Sequence, residues 1–369
     1  MSDHFNGVYA GKTVLVTGHT GFKGSWLSMW LIALGARVIG YSAYLPSDPC
    51  NFEACGLESR LSHNIGDIRD QERLRQVIRT FHPDVVFHLA AQPIVRSSYE
   101  LPKETFDTNA GGTVNVLDCL RQFPEIKVAV LITSDKCYRN VEWPWGYREN
   151  DELGGDDPYS ASKACAEIIF RAYALSFFSE PDKTRISSVR AGNVIGGGDW
   201  AVARLVPDCV RAWSRGQRPT IRSPYSTRPW QHILEPLSGY LWLGANLITS
   251  SNLRGESFNF GPDAAVNQSV HELLLAFKSR WEGADWIERE EKSQKKEGAL
   301  LKLCCDKALQ YLGWHSVLGF EEMVDFTVDW YRAFYSGHAE MYGFSLEQVR
   351  KYSLAALEKK LAWTTGKVQ

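Results

Sequence analysis

Apolar residues along this chain come in two spacings that alternate through its first half. Lys12-Thr13-Val14-Leu15-Val16-Thr17 is a short run rich in β-branched residues and predicts a buried strand. Ser25-Trp26-Leu27-Ser28-Met29-Trp30-Leu31 reads as a helix, and Ala36-Arg37-Val38-Ile39-Gly40-Tyr41 as the next strand. Val85-Val86-Phe87-His88-Leu89 and Val128-Ala129-Val130-Leu131-Ile132-Thr133 are the clearest later strands, and Tyr159 to about Ser176 is a helix. This alternation continues from Thr13 to about Ala191, as a doubly wound parallel sheet requires. The expected class is α/β, with a smaller, mostly C-terminal second lobe. At 369 residues the chain is long enough for two such lobes.

Between the first strand and helix lies Gly18-His19-Thr20-Gly21-Phe22-Lys23-Gly24. Strand, glycine loop and helix in that order form a dinucleotide-binding, Rossmann-like context. Glycines permit the tight turn, and the free amides at the helix start face a pyrophosphate. The spacing is G-x-x-G-x-x-G. Lys23 either adds positive charge near the phosphates or points to solvent. After the second strand, where an acidic residue would bind the adenosine ribose, the chain has Ser42-Ala43-Tyr44; the first nearby carboxylate is Asp48. Arg37 precedes the strand and is a poor partner for a 2′-phosphate.

Two later motifs carry the chemistry. Tyr159-Ser160-Ala161-Ser162-Lys163 puts a phenol and an ammonium on one face of a helix, about one turn apart. A lysine beside a tyrosine favours the phenolate, so Tyr159 would accept a proton from an alcohol near neutral pH. Thr133-Ser134-Asp135-Lys136 ends a strand, at the sheet edge where open α/β sheets bind ligands. It supplies a carboxyl and a second amine, which plain alcohol oxidation does not need. Two acid/base pairs fit two proton-transfer problems, as in elimination of water. An ordinary ion pair between Asp135 and Lys136, with the opposite protonation, is the alternative.

Composition narrows the partners. A net charge of −2 gives no bulk attraction to nucleic acid or an anionic membrane, and no apolar run is long enough to span a bilayer. The most apolar long segment, Pro236 to Ile248, reads as a packed helix. Eight cysteines without C-x-x-C or His/Cys metal spacing read as reduced thiols of a cytoplasmic protein without a metal site. Glu288 to Glu297 is a dense charge run, expected as a solvated loop or helix face. Between Lys183 and Lys278 there are nine arginines and no lysine. Arginine's planar fork suits phosphate oxygens, and Arg222 and Arg228, in the loop Ile221 to Trp230, are the preferred candidates.

The glycine spacing and the Tyr-Lys pair resemble the short-chain dehydrogenase/reductase superfamily. Gly66-Asp67-Ile68 resembles its adenine-edge contact, and Ala90-Ala91-Gln92 the strand end that passes under its cofactor. Asn193 resembles its pyrophosphate-contacting asparagine, and Arg204-Leu205-Val206-Pro207 the turn before its nucleotide-binding helix. The order of motifs from Thr13 to Trp330 is that of the extended branch acting on nucleotide sugars. Ser134-Asp135-Lys136, Gly21-Phe22-Lys23-Gly24-Ser25-Trp26-Leu27 and Trp143-Pro144-Trp145-Gly146-Tyr147 are similar to the CDP-glucose 4,6-dehydratases of deoxysugar biosynthesis. The Asp-Lys pair also occurs in inverting UDP-N-acetylglucosamine 4,6-dehydratases, the second choice; a non-catalytic nucleotide sensor on the same fold is the rival of another class.

The resemblance implies NAD, reduced and regenerated within each turnover. It implies Tyr159, with Lys163, as base at the sugar's 4-hydroxyl and Ser134 as hydrogen-bonding partner of that oxygen. Lys136 would be the base at carbon 5 and Asp135 the acid at the 6-hydroxyl, which asks for a raised Asp135 pKa and a depressed Lys136 pKa. It further implies residues 1–190 as the NAD-binding domain, with a return of chain near 230–262, and residues 191–369 as the nucleotide-sugar domain. A homo-oligomer paired through about Pro102 to Arg121 and Tyr159 to Phe178 is expected, since Ile168, Ile169, Ala172 and Leu175 exceed what one core face requires.

Overall fold

The computed structural model describes residues 3–263, 266–289 and 300–365. Its centre is a seven-stranded, all-parallel sheet of β1 (Thr13–Thr17), β2 (Arg37–Ser42), β3 (Ser62–Ile65), β4 (Val85–His88), β5 (Val128–Ile132), β6 (Arg185–Ala191) and β7 (Ser257–Phe260). The strands lie in the order β7-β6-β5-β4-β1-β2-β3. The order reverses at β1, between β2 and β4, so the crevice for a ligand opens beyond the carboxyl ends of β1 and β4. The second strand begins one residue later than expected and ends at Ser42, which therefore belongs to the strand end itself.

Both faces of the sheet are covered, which is why β5 is apolar along its whole length and β4 as far as His88. On one face lie α1 (Phe22–Ala33) and a later helix; on the other α2 (Gln71–Phe81), α3 (Pro102–Phe106), α4 (Gly112–Gln122) and α5 (Pro158–Phe177). A π-helical turn, Asp107–Gly111, joins α3 to α4, so the expected helix from Pro102 to Arg121 carries a bulge. Asp157 caps α5, accepting from the Ser160 amide at 2.9 Å, with Pro158 in its first turn. Those two residues place Tyr159 at the very start of the helix.

Beyond β6 the chain forms α6 (Leu205–Trp213), then returns as α7 (Leu234–Thr249) and β7. Leu234 to Ala245 of α7 is buried throughout, as the apolar segment from Pro236 to Ile248 predicts. The charge run from Glu288 to Glu297 shows only Glu288 and Arg289, both exposed; the rest lies outside the described residues.

Candidate active site

The glycine loop closes on the switch point of the sheet. A Cβ on Gly18, whose φ is +74°, would lie 2.7 Å from the Ala90 amide nitrogen, and one on Gly24 2.1 Å from the Gly18 carbonyl. Only glycines let β1, the end of β4 and the first turn of α1 approach this closely. Gly21 heads α1 with no side-chain cap, leaving the first-turn amides of Phe22, Lys23 and Gly24 turned to the crevice. This cradle fits a dinucleotide pyrophosphate, and its fit rests on backbone alone.

At the ribose position the structure has hydroxyls and imidazoles where a carboxylate was expected. Ser42 Oγ lies 3.0 Å from His19 Nδ1, and His19 Nε2 2.7 Å from His63 Nδ1. Burial pushes His19 down to about 3, so this chain is uncharged around His19. Thr20 donates to the Tyr44 carbonyl at 2.7 Å. Asp67 is engaged by Arg69, at 2.6 Å and 3.0 Å, which holds its carboxyl below the usual range, and its carbonyl accepts from Tyr41. Ile68 packs against Gly112. Gln92 is tied to Asn109, whose amide also donates to Ser162 Oγ at 2.9 Å. Asn109 thus clamps the loop after β4, with Ala91, to α5; no sequence signal singled it out.

At the end of β5, Ser134, Asp135 and Tyr159 are all buried. Ser134 donates to Asp135 Oδ1 at 2.9 Å and accepts from the Lys136 amide at 3.3 Å. Gly192 makes room for the acid: a Cβ there would sit 3.0 Å from Asp135 Oδ2. Burial raises the Asp135 carboxyl, against the opposing influence of Lys136, Ser134 and Lys23. Lys136 is half-buried, and among the described residues no carboxylate pairs with its ammonium. The ordinary ion pair with Asp135 is not formed.

One expectation is corrected. Tyr159 is pushed up to about 12, because burial outweighs everything that favours its phenolate. The influences that favour it are Ser134 first and then Arg204, not Lys163. Burial also lowers Lys163 to about 8, with Glu167 working the other way, so the ammonium is itself held in check. Lys23 does not point to bulk solvent. Burial brings it down to about 8, with Arg204 and Lys163 adding to the effect and Asp135 opposing it, so its amine lies within the field of those three groups.

The arginines divide into separate tasks. Arg204, at the head of α6, pairs with Asp199 at 2.9 Å and reaches the field of Tyr159 and Lys23. Leu205 is half-buried beside it. Arg211 and Arg218 serve ion pairs with Asp208 and Asp285. Arg222 is exposed on its loop, and Arg228 lies in a two-residue ladder with Gln268–Ser269. Asn193 is half-buried in the turn after β6, its carbonyl accepting from the Gln231 amide at 3.2 Å.

Behind α5 lies a network the sequence reading missed. Glu167 and Arg190 pair at 2.6 Å with 1% and 3% of their side chains exposed. Glu167 also accepts from Thr133 and from Ser188 at 2.9 Å; Arg190 reaches Tyr138 at 2.6 Å. Burial works against the Glu167 charge, but Arg190 and the hydroxyls outweigh it and hold the carboxyl below its usual range. The signal was present: a lone carboxylate one turn after Lys163, and an arginine inside an otherwise small and apolar strand.

The model of the GDP-mannose 4,6 dehydratase family matches residues 15–327. The chain is 48% identical to a CDP-glucose 4,6-dehydratase of Salmonella typhimurium, covering 89% of this chain and 93% of that protein. It is 24% identical to a dTDP-glucose 4,6-dehydratase of Xanthomonas campestris, over 86% and 93% of the two chains. Among solved structures, a Thermus thermophilus UDP-glucose 4-epimerase complex with NAD aligns with a TM-score of 0.75 at 25% identity, covering 87% of this chain and 99% of that one.

Proposed function

The chain belongs to the GDP-mannose 4,6 dehydratase family, and from that premise we propose that it is an NAD-dependent hydro-lyase converting CDP-glucose to CDP-4-keto-6-deoxyglucose and water. The observation that carries the reaction is a buried Asp135 carboxyl, raised by burial, beside a Lys136 that pairs with no carboxylate among the described residues. Alcohol oxidation alone uses neither. The 48% identity to a CDP-glucose enzyme, over nearly its full length, supports the nucleotide and the sugar.

Gly18, Thr20, Gly21, Phe22, Lys23, Gly24, Asp67, Ile68, Ala90, Ala91 and Gln92, with Tyr159 and Lys163, would hold NAD. When bound it supplies the hydride acceptor at carbon 4 and the donor at carbon 6. Tyr159 would take the proton of the 4-hydroxyl in its phenolate form, which burial disfavours and Ser134 and Arg204 favour, and Ser134 would hydrogen-bond that oxygen. Lys136 removes the proton from carbon 5, made acidic by the neighbouring ketone, and later returns it. Asp135 gives its proton to the departing 6-hydroxyl, a step that a raised carboxyl favours. Asn193, Arg204, Leu205, Arg222 and Arg228 would bind the diphosphate side of the substrate. The cofactor lobe then comprises residues 1–190 with the return at 230–262, a division supported by β7 joining the central sheet.

Two coarser features support further assignments. Ile168 and Leu175 of α5 are 57% and 68% exposed, and Leu101, just before α3, is 54% exposed, which suits pairing of two copies through these helices. All eight cysteines are unpaired, and among the described residues no helix is long and apolar enough to cross a membrane, which suits the cytoplasm. Sedimentation at micromolar concentration should give a dimer or larger; a monomer would overturn the pairing. Incubation with NAD and CDP-, dTDP-, UDP- and GDP-glucose and UDP-N-acetylglucosamine should yield a keto sugar fastest from CDP-glucose, with no accumulating NADH. Turnover of UDP-N-acetylglucosamine instead would refute the assignment.

A further inference from the structure

Open α/β sheets that carry dinucleotides set the adenosine ribose against the end of the second strand, where a carboxylate takes the 2′-hydroxyl or an arginine takes a 2′-phosphate. This chain has neither there. Ser42 ends β2, and beside it lies a cavity of about 180 Å³ whose lining includes Ser42, Tyr44, Glu53, Glu58 and His63. Given NAD in the cradle, the reading on which this inference rests, the ribose hydroxyls meet Ser42 and that cavity. Ser42 is one end of a hydrogen-bonded chain whose other end, His63, lines the same space. Ser42 Oγ lies 3.0 Å from His19 Nδ1, and His19 Nε2 lies 2.7 Å from His63 Nδ1. His19 is wedged in the middle: a Cβ on Gly40 would sit 2.2 Å from its ring, and Phe52 packs against it edge-on at 5.3 Å.

With both rings neutral, a hydroxyl and two imidazoles carry three hydrogens between them. The two internal bonds use two. The third is left at His63 if Ser42 donates into the chain, and at Ser42 if His63 does. Either way one end donates and the other accepts, which suits a ribose hydroxyl, since it does both. A 2′-phosphate above its second pKa only accepts, and it would find a single donor. Charge points the same way. Among the described residues that line the cavity there is no lysine or arginine, while Glu53 and Glu58 are both exposed at it. The guanidiniums nearest in sequence are engaged elsewhere: Arg60 lies over the Tyr342 ring at 3.8 Å and pairs with Glu340, and Arg69 pairs with Asp67 at 2.6 Å. We propose that this chain selects NAD against NADP by the Ser42–His19–His63 chain, which takes the ribose hydroxyl, and by Glu53 and Glu58, which repel a phosphate in its place. The carboxylates that discriminate thus stand across the cavity from the strand end rather than on it.

Titration calorimetry at pH 8, with the whole protein and no sugar, tests this with NAD, NADP and 2′-deoxy-NAD. NAD should bind about tenfold more tightly than 2′-deoxy-NAD, the loss of one hydrogen bond, and about a hundredfold more tightly than NADP. In the double variant Glu53→Gln/Glu58→Gln the gap between NAD and NADP should narrow by about tenfold or more, while NAD affinity itself moves by less than about threefold. Both side chains are exposed, so the exchange leaves the core untouched. Added salt should narrow the gap in the wild type and do so less in the variant, a response that mere loosening of the loop would not give. Equal affinity for NAD and NADP in the wild type, or a gap unchanged in the variant, would overturn the proposal. So would 2′-deoxy-NAD binding as tightly as NAD. If the wild type binds none of the three, the cofactor reading itself has failed, which is a separate outcome.

Discussion

Replacing Glu167 with Gln removes one negative charge and almost no volume from the interior between α5 and β6. Arg190 would then lie 97% buried with no counter-ion, since its other partners are a phenol and the Glu149 carbonyl. Breaking a buried pair from one side costs about 3–5 kcal/mol. The new amide nitrogen would also meet a hydroxyl donor from Thr133 or Ser188, adding about 1–3 kcal/mol. Against a typical stability of about 5–15 kcal/mol, the variant should be folded but much weakened. Urea unfolding followed by tryptophan fluorescence should show the midpoint falling by about 1 M or more. Replacing Arg190 with Met in the same chain should recover part of the loss, because an absent pair costs less than a broken one. Function should change as well. Glu167 is the leading influence that keeps Lys163 charged, so without it the ammonium is lost at lower pH, and NAD affinity should suffer more at pH 8 than at pH 6.5. An unfolding midpoint equal to that of the wild type, or a double variant as weak as the sum of the single ones, would refute this reasoning.

Lys136→Ala should still oxidise carbon 4 but lose water about a hundredfold to ten-thousandfold more slowly, so that enzyme-bound NADH builds up in a single turnover. Normal elimination without visible NADH would send the search for the base elsewhere. Gly24→Ala drives a methyl into the Gly18 carbonyl and the His19 Cα, both backbone, and should cost about 1–3 kcal/mol and much of the NAD affinity. Calorimetry showing unchanged affinity would contradict the cradle. Lys23 and Lys163, both lowered to about 8, should regain their charge beside a diphosphate, so NAD binding at pH 8 should take up protons and weaken as pH rises further. Equal heats in buffers of different ionisation enthalpy would exclude this.

What could be read from the sequence was what short-range spacing determines. The glycine loop, the end of β5 and the Tyr159–Lys163 pair each sit within one strand-turn-helix unit, where local periodicity fixes the neighbours. The direction of Lys23 depends instead on Arg204 and Asp135, far along the chain, and on which side α1 turns toward the sheet. The phenol of Tyr159 was misjudged because spacing reports the nearby ammonium but not the burial that outweighs it. Among the arginines, sequence counted charges without seeing that Asp199, Asp208 and Asp285 lay beside three of them. Asn109 and the Glu167–Arg190 pair join segments that meet only after the sheet has formed.

The crowding of α1 has a consequence for redesign. From Gly24 to Leu31 every residue is buried, so the helix that carries the phosphate cradle has no side on which variation is cheap. Random mutagenesis aimed at exchanging NAD for another nicotinamide carrier would spend most of its library on misfolded chains if it targeted this helix. The strip after β2 is different. Tyr44 and Leu45 are 67% and 42% exposed, and they line a cavity of about 180 Å³ together with Ser42, Phe52 and His63. Cofactor exchange is better sought there, where new side chains can be introduced without disturbing the frame that holds the chemistry.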